Sequence, residues 1–500
     1  MNNGSVNAGD LIISSVDMKN TGVVSLCAGQ VDVTLKRSEL LTQIKAVAHG
    51  LLARGLQRGQ RVAVIANNST QLLSVLLGTM YAGLVIVPLS TKFSKATSQQ
   101  ICEECEVALI FSDEEFTGQV PAGIQNIDLG SLFQQFPHWD DLAPAATRPN
   151  DVACILYTSG STGRPKGVQL SHHGLVWPLR AHIDNLVDVR GERFLIAAPL
   201  FHMNAMFFAM LALYGGGSIV LLSRFSTEQY TLAINAYQCT YLTAIPTMLA
   251  LVTQKTISMD INTCPSVRYI DIGSAPSTVA LFERVSAVFP FANVMNSYGS
   301  TEAGPTLFGS HPNGLPRPRM SIGYPVTGVE TKFLGEGEAR VMMIRSPSLM
   351  LGYLNNQEET DRVVVDGWFY TGDLVRKDTH GFYYIVGRAD DMFICGGENI
   401  YPAEVESILE NHDAIEQACV VAAADEIMGS VPVAFVVKQA GSDLKFDEIK
   451  AYVQREGSAY LFPRYVEFID ELPRTGTEKI DRKRLEAEVS TIVNKSKGSE

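Results

Sequence analysis

Positive charge is in short supply in this chain: 40 lysines and arginines face 53 aspartates and glutamates, for a net charge of −13 over 500 residues. The summed field repels a phosphodiester backbone, which excludes a nucleic-acid binder unless a local basic groove overcomes it. A small anion such as ATP needs only local cations and stays open. The start, MNNGSVNAGDLIISS, lacks the basic segment and apolar run of a secretory leader, and the tail NKSKGSE carries no lipidation or peroxisomal signal. A cytoplasmic protein is expected. The uncharged stretch from Val62 to Thr91 is no membrane span, because Asn67-Asn68-Ser69, Gly83 and Pro88 interrupt it. It reads as strand, helix, strand. The eight cysteines, at 27, 102, 105, 154, 239, 264, 395 and 419, form no disulfide framework, which fits a reducing compartment. Cys102 and Cys105 have CxxC spacing without the two further ligands a zinc site needs, so they read as two helical thiols. There is no internal repeat and no low-complexity tract.

What is present is β–α alternation. RVAVIA, LVIVPL, VALIFS, VACILYTS, RFLIAAPL, GSIVLL, VRYIDIG and ANVMNSYG are strand-like runs separated by helix-period segments. That pattern predicts an α/β fold with parallel sheets covered by helices. From about Gly323 to Ile385, short strands with Gly, Pro and Asp turns predict a smaller antiparallel or β-barrel-like unit. After GRADD the character changes again. YPAEVESILENH opens a helix at Pro402 with Val405, Ile408 and Leu409 on one face and Glu404, Glu406 and Glu410 elsewhere. Two strands and a helix near Phe446–Glu456 follow, giving a compact α+β unit. The expected division is a large unit over 1–389 and a small one over 390–500, with Asp390 at the junction.

The stretch with the most chemistry is YTSGSTGRPKG, Tyr157 to Gly167. It follows the strand VACILY, where the N–H groups of small residues can converge on an anion. A Walker loop would need GxxxxGK[ST] opening a helix. Here Pro165 stands at the required glycine and Gly167 follows Lys166, while VQL beyond it alternates like a strand. The loop is therefore expected to join two strands, as a phosphate cradle of another type or as a Gly/Ser turn.

Four more stretches occur in order with it: YGSTEAG (298–304), YTGDL (370–374), GRADDMFICGGENIYPAEVE (387–406) and PRTGTEKIDRKRL (473–485). Together the five closely resemble the motifs of the acyl- and aryl-CoA synthetases of the adenylate-forming superfamily, over nearly the whole chain. The resemblance implies that Thr158, Ser159, Gly160, Ser161, Thr162 and Gly163 hold the β- and γ-phosphates of ATP, with Lys166 adding mobile charge. It implies that Tyr298 and Gly299 lie at adenine, that Thr301 bonds the α-phosphate, and that Glu302 holds Mg²⁺. Gly273, Ser274, Ala275 and Pro276 match the loop beside adenine and the acyl group, and Asp373 with Arg388 matches the ribose-binding pair. His202 in PLFHM matches the aromatic residue beside the carboxylate pocket; taken alone it is a core histidine. Lys479 matches the catalytic lysine, although Glu478 replaces the usual preceding glycine and could pair with its ammonium. Asp390 matches the hinge, and Gly396 and Gly397 the wall along which pantetheine passes.

The implied reaction is ATP-dependent, AMP-forming activation of a carboxylic acid followed by transfer to coenzyme A. The apolar, Met-rich MNAMFFAMLALY after His202 suits an aromatic or medium-length hydrophobic acid, and equally a buried helix. Delivery to a carrier protein, oxidation of the adenylate, and a nucleotide sensor without turnover are the alternatives. The expected partners are the acid, ATP and CoA, with a homodimer left open.

Overall fold

The computed structural model describes residues 6–12, 19–27, 30–137, 139, 141–159, 165–258, 264–396, 398–456, 461–475 and 480–497. Two seven-stranded sheets form the larger part. One runs, from edge to edge, Asn293–Asn296, Tyr269–Ile272, Tyr241–Ala244, Arg193–Ile196, Ser218–Leu222, Thr21–Cys27 and Gln30–Lys36, parallel except for the last pair. The other runs Gly352–Tyr353, Pro165–Ser171, Val152–Ser159, Val85–Pro88, Arg61–Ile65, Val107–Ser112 and Gln125–Asp128, and its first three strands are antiparallel. The expected strand, helix, strand unit is present as Arg61–Ile65, Thr70–Tyr81 and Val85–Pro88, with its two strands parallel. Ser69 starts the helix, its hydroxyl accepting from Leu72 N–H at 3.0 Å.

The uniformly apolar strands are explained by burial on both faces. Val62 and Val64 enter the largest core, while Ala63 and Ile65 face a separate cluster with Ile101 and Cys102 of the helix Lys95–Glu104. The largest core also takes in Phe194 and Ile219 of the other sheet and the helix Met203–Tyr214. Both sheets thus share one layer of helices. That packing fixes the carboxyl ends of Val152–Ser159, Tyr269–Ile272 and Asn293–Asn296, where the loops of interest begin.

The Gly/Pro-rich region forms an antiparallel sheet of Glu330–Leu334, Arg340–Arg345, Trp368–Lys377 and Val364–Val365, with Tyr383–Arg388 paired to Trp368–Lys377. Beyond it, the strands Ile415–Asp425 and Gly429–Lys438 build a separate core around Val420, Val433 and Phe435 with the helices Pro402–Glu410 and Arg482–Lys497.

Two details differ from the sequence reading. The strands Thr21–Cys27, Gln30–Lys36, Gln125–Asp128 and Tyr241–Ala244 are additional. The helix Pro402–Glu410 leaves Glu404 exposed as expected, but it turns Glu406 and Glu410 inward. Glu406 is buried, accepts from Val420 N–H at 2.7 Å and pairs with Arg482 at 2.7 Å, and Glu410 accepts from Ala418 N–H at 3.0 Å. Both carboxylates take up N–H groups of the neighbouring strand, and Glu406 also takes the charge of Arg482 on the helix Arg482–Lys497. Arg482 is the partner that makes the burial of Glu406 possible.

Candidate active site

Tyr157–Gly167 does join two strands. Val152–Ser159 and Pro165–Ser171 form a hairpin in which Thr158 faces Lys166 and Ser159 faces Pro165. Thr158 and Ser159 stand at the strand end; Gly160, Ser161, Thr162 and Gly163 lie outside the described residues. The Lys166 ammonium pairs with the Glu359 carboxylate and lies 5.2 Å from the centroid of the Tyr353 ring.

Tyr353 ties this hairpin to the YGSTEAG turn, its hydroxyl donating to Glu302 Oε1 at 3.2 Å. In that turn Ser300 and Gly304 exchange backbone bonds of 3.0 and 2.9 Å, which projects Thr301 and Glu302 as the tip. A side chain at Gly299 would meet the Gly304 and Pro305 carbonyl oxygens at 2.6 Å, so the turn closes only with glycine there.

Just before the tip, the Tyr298 hydroxyl donates to Asp373 Oδ2, and the Tyr298 ring meets Phe308 edge-on at 5.7 Å. Asp373 and Arg388 are partners across two antiparallel strands, and Arg388 Nη1 donates to Asp373 Oδ1 at 2.9 Å and to the Thr371 carbonyl at 2.9 Å. Burial, with the neighbouring Asp373 carboxylate, pushes the Tyr298 phenol far above its usual range, so it remains a donor. Gly372 adopts φ +71°, and a Cβ there would sit 2.8 Å from Arg388 Nη2. The glycine of YTGDL is therefore required twice, by the left-handed backbone and by the guanidinium behind it. Arg388 also reaches Asp390 Oδ2 at 3.6 Å, between the last strand of the antiparallel sheet and Phe393–Cys395 of the C-terminal sheet.

His202 immediately precedes the helix Met203–Tyr214, its ring 4.5 Å from that of Phe201. That helix is buried along its length, so its Met-rich pattern belongs to the core. Asn204 carries its amide to Gly273, 3.7 Å from where a Cβ would stand, which links His202 to the Gly273–Pro276 loop. Ser274 in that loop has φ +69°, a conformation rare outside glycine and costly unless its surroundings hold it. Beneath it, Asp271 accepts from Ser297 Oγ at 2.8 Å and Tyr241 Oη at 3.5 Å. Burial raises Asp271 to about 6, countered by Ser297 and Arg317. Burial alone lowers His182, 3.4 Å from Tyr241 Oη, to about 3, keeping its imidazole neutral.

Gly396 sits at the turn after Phe393–Cys395 with φ +59°, its N–H donating to the Met428 carbonyl at 2.8 Å. Gly397, Glu478 and Lys479 lie outside the described residues. Among the described residues no cluster of three His, Cys, Asp or Glu side chains is gathered as a metal cage. Mg²⁺ does not demand one, because it keeps waters and substrate phosphate oxygens and takes one or two carboxylates. Glu302, an oxygen donor connected to the Lys166 ammonium through Tyr353, suits that manner of binding. Tyr353, Glu359, Arg362 and Asn204 are the residues sequence reading passed over. The clue was LGYLNNQEET, in which Gly352 and Tyr353 pair with the strand that carries Lys166.

The AMP-binding enzyme family model matches residues 20–354, and the AMP-binding enzyme C-terminal domain model matches 404–479. The chain is 31% identical over 463 residues to 2-succinylbenzoate–CoA ligase of Bacillus subtilis, covering 91% of this chain and 93% of that one. It is 32% identical over 464 residues to a feruloyl-CoA synthase of an Amycolatopsis species, covering 89% and 92%. Among solved structures it resembles o-succinylbenzoate CoA synthetase from Bacillus subtilis with its acyl-adenylate, OSB-AMP, at TM-score 0.84 and 29% identity over 96% of this chain and 98% of that one. The same enzyme with ATP and a magnesium ion gives a TM-score of 0.83 at 29% identity, covering 96% and 99%.

Proposed function

The chain belongs to the AMP-binding enzyme family, and from that premise we propose that it is an acid–thiol ligase acting in two steps. A carboxylate oxygen of the acid attacks the α-phosphorus of ATP, and the bond to the β-phosphate breaks to release pyrophosphate. The thiol sulfur of CoA then attacks the acyl carbon, and AMP leaves with the oxygen it received. The observation that carries this reading is a line of contacts from Arg388 through Asp373 to Tyr298, and along the YGSTEAG turn from Glu302 through Tyr353 to Lys166. It sets an acid–guanidinium pair suited to ribose hydroxyls at one end and a cation suited to phosphate at the other.

On this reading Thr158, Ser159, Lys166 and the residues 160–163 take the triphosphate, Tyr298 and Gly299 flank adenine, and Thr301 bonds the α-phosphate. Glu302 would hold Mg²⁺, which neutralises phosphate charge when bound. Asp373 and Arg388 take the ribose, and His202 with Gly273–Pro276 borders the reacting carboxylate. Lys479 is assigned to adenylation and Gly396 with Gly397 to the pantetheine path. The units 1–389 and 390–500 would reorient about Asp390 between the two steps. The substrates named for the relatives, 2-succinylbenzoate and ferulate, support an aromatic acid. Eight free thiols support a reducing compartment, the cytoplasm, and among the described residues no helix is long and apolar enough to cross a membrane. The test is acid-dependent exchange of pyrophosphate into ATP across a panel of benzoic, cinnamic and alkanoic acids. Exchange with the aryl acids is expected; exchange confined to alkanoic acids would overturn the aromatic assignment, and no exchange with any acid would overturn the reaction.

A further inference from the structure

Lys166 rides on a hairpin edge, and a lysine there has four rotatable bonds through which to lose its position. In this protein it is not left to wander. Its ammonium pairs with Glu359, and both side chains are largely buried, at 15% and 17% exposure. Glu359 is itself held by Arg362, which donates from Nε at 2.7 Å and from Nη2 at 2.8 Å in the fork geometry that fixes a carboxylate plane. Asn356 caps the short helix Gln357–Val363 and accepts from Glu359 N–H at 3.1 Å, which sets the backbone of the acid. The same segment is laced to the rest of the site. Leu354 N–H donates to the Gly167 carbonyl at 2.8 Å, Leu351 N–H to Gln169 at 2.9 Å, and Met350 N–H to Glu302 at 2.7 Å. Lys166, Glu302 and Glu359 are therefore referred to one stretch of chain, residues 350–362.

We propose that Glu359 is a positioning residue for ATP: with Tyr353 it fixes the Lys166 ammonium beside Glu302, where a triphosphate would lie. Two cations share the one carboxylate, so the cluster Lys166–Glu359–Arg362 keeps a net positive charge of one to offer phosphate. A preset cation loses little freedom when the ligand arrives, which strengthens binding without any new contact. The inference rests on reading the 157–167 hairpin as a triphosphate site.

The test uses the full chain and α,β-methylene-ATP with Mg²⁺, whose dissociation constant is measured by calorimetry for wild type, Glu359→Gln, Glu359→Asp, Lys166→Ala and the double variant Lys166→Ala/Glu359→Gln. KM for ATP and for the acid is measured beside it. Glu359→Gln and Lys166→Ala should each weaken the analogue about tenfold, and the double variant should be no weaker than Lys166→Ala alone, because contacting residues couple. Glu359→Asp should recover part of the loss, and KM for the acid should stay unchanged. Binding by Glu359→Gln as tight as wild type, or tighter, would overturn the proposal, since a tighter complex means that the carboxylate opposes the nucleotide. Losses that multiply in the double variant would overturn it as well. If wild type fails to bind the analogue, what falls is the triphosphate-site reading beneath it.

Discussion

Lys479 is the residue on which the two half-reactions should part. A cation that bridges the carboxylate and the α-phosphate acts while the P–O bond forms and has no task when a thiol displaces AMP. Lys479→Ala is therefore expected to slow adenylation by about 10²–10³-fold, the loss typical of one transition-state donor, and to leave thioester formation from supplied acyl-AMP near wild type. Equal loss in both, measured by rapid quench, would refute the role. Glu478 was visible in sequence as a departure beside this lysine; Glu359 was not, because an acid in the first turn of a short helix looks like ordinary capping. Only the register that sets Tyr353 against Val168 reveals that this helix lies over Lys166. The pair Asp373 and Arg388 was legible for the opposite reason, since each stands in a dense local motif.

At the scale of elements, the strand Trp368–Lys377 bends at Gly372 to put Asp373 and Arg388 on one side. Gly372→Ala should cost about 1–2 kcal/mol for the left-handed backbone, read as a lower denaturant midpoint. It should also raise KM for ATP by pushing Arg388 off its partner; a variant with wild-type KM would show that the guanidinium tolerates displacement. In the C-terminal unit, Arg482 ties its helix to Glu406 and to the Val420 carbonyl, the latter at 2.8 Å. Arg482→Met leaves a buried carboxylate without its cation and should destabilise that unit by about 3 kcal/mol. Hydrogen exchange should then quicken across the strands Ile415–Asp425 and Gly429–Lys438 and stay unchanged in Arg61–Ile65. The sequence misread here was one of direction. Periodicity marks the apolar stripe of Pro402–Glu410, but it cannot tell an acid facing water from one facing unpaired N–H groups of a neighbouring strand.

At the scale of the whole molecule, layers were legible and seams were not. Apolar strands that follow one another with helices between them announce parallel sheets, whereas the contacts between distant segments carry no sequence signature. One such contact joins the C-terminal unit to the larger one. Glu410 is raised to about 7 by burial, against the pull of Ala418 N–H, the Thr278 hydroxyl and Arg284, with Glu406 raising it further. Its ordinary value is 4.5, so between these two values the folded protein holds a proton that the unfolded chain has released. Stability from this group therefore falls as pH rises from 4.5 to about 7, and Glu410→Gln should remove that fall. Urea midpoints should show the variant gaining more over wild type at about pH 8 than at about pH 5, and an equal gain at both would contradict the assignment. The central claim, that ATP is cut between its α- and β-phosphates by a carboxylate that later surrenders AMP, is tested most directly by oxygen tracing. With an accepted acid labelled in both carboxylate oxygens with ¹⁸O, and with ATP, Mg²⁺ and CoA present, mass spectrometry should find one labelled oxygen in AMP and none in pyrophosphate. Label in inorganic phosphate, with ADP as the nucleotide product, would contradict it.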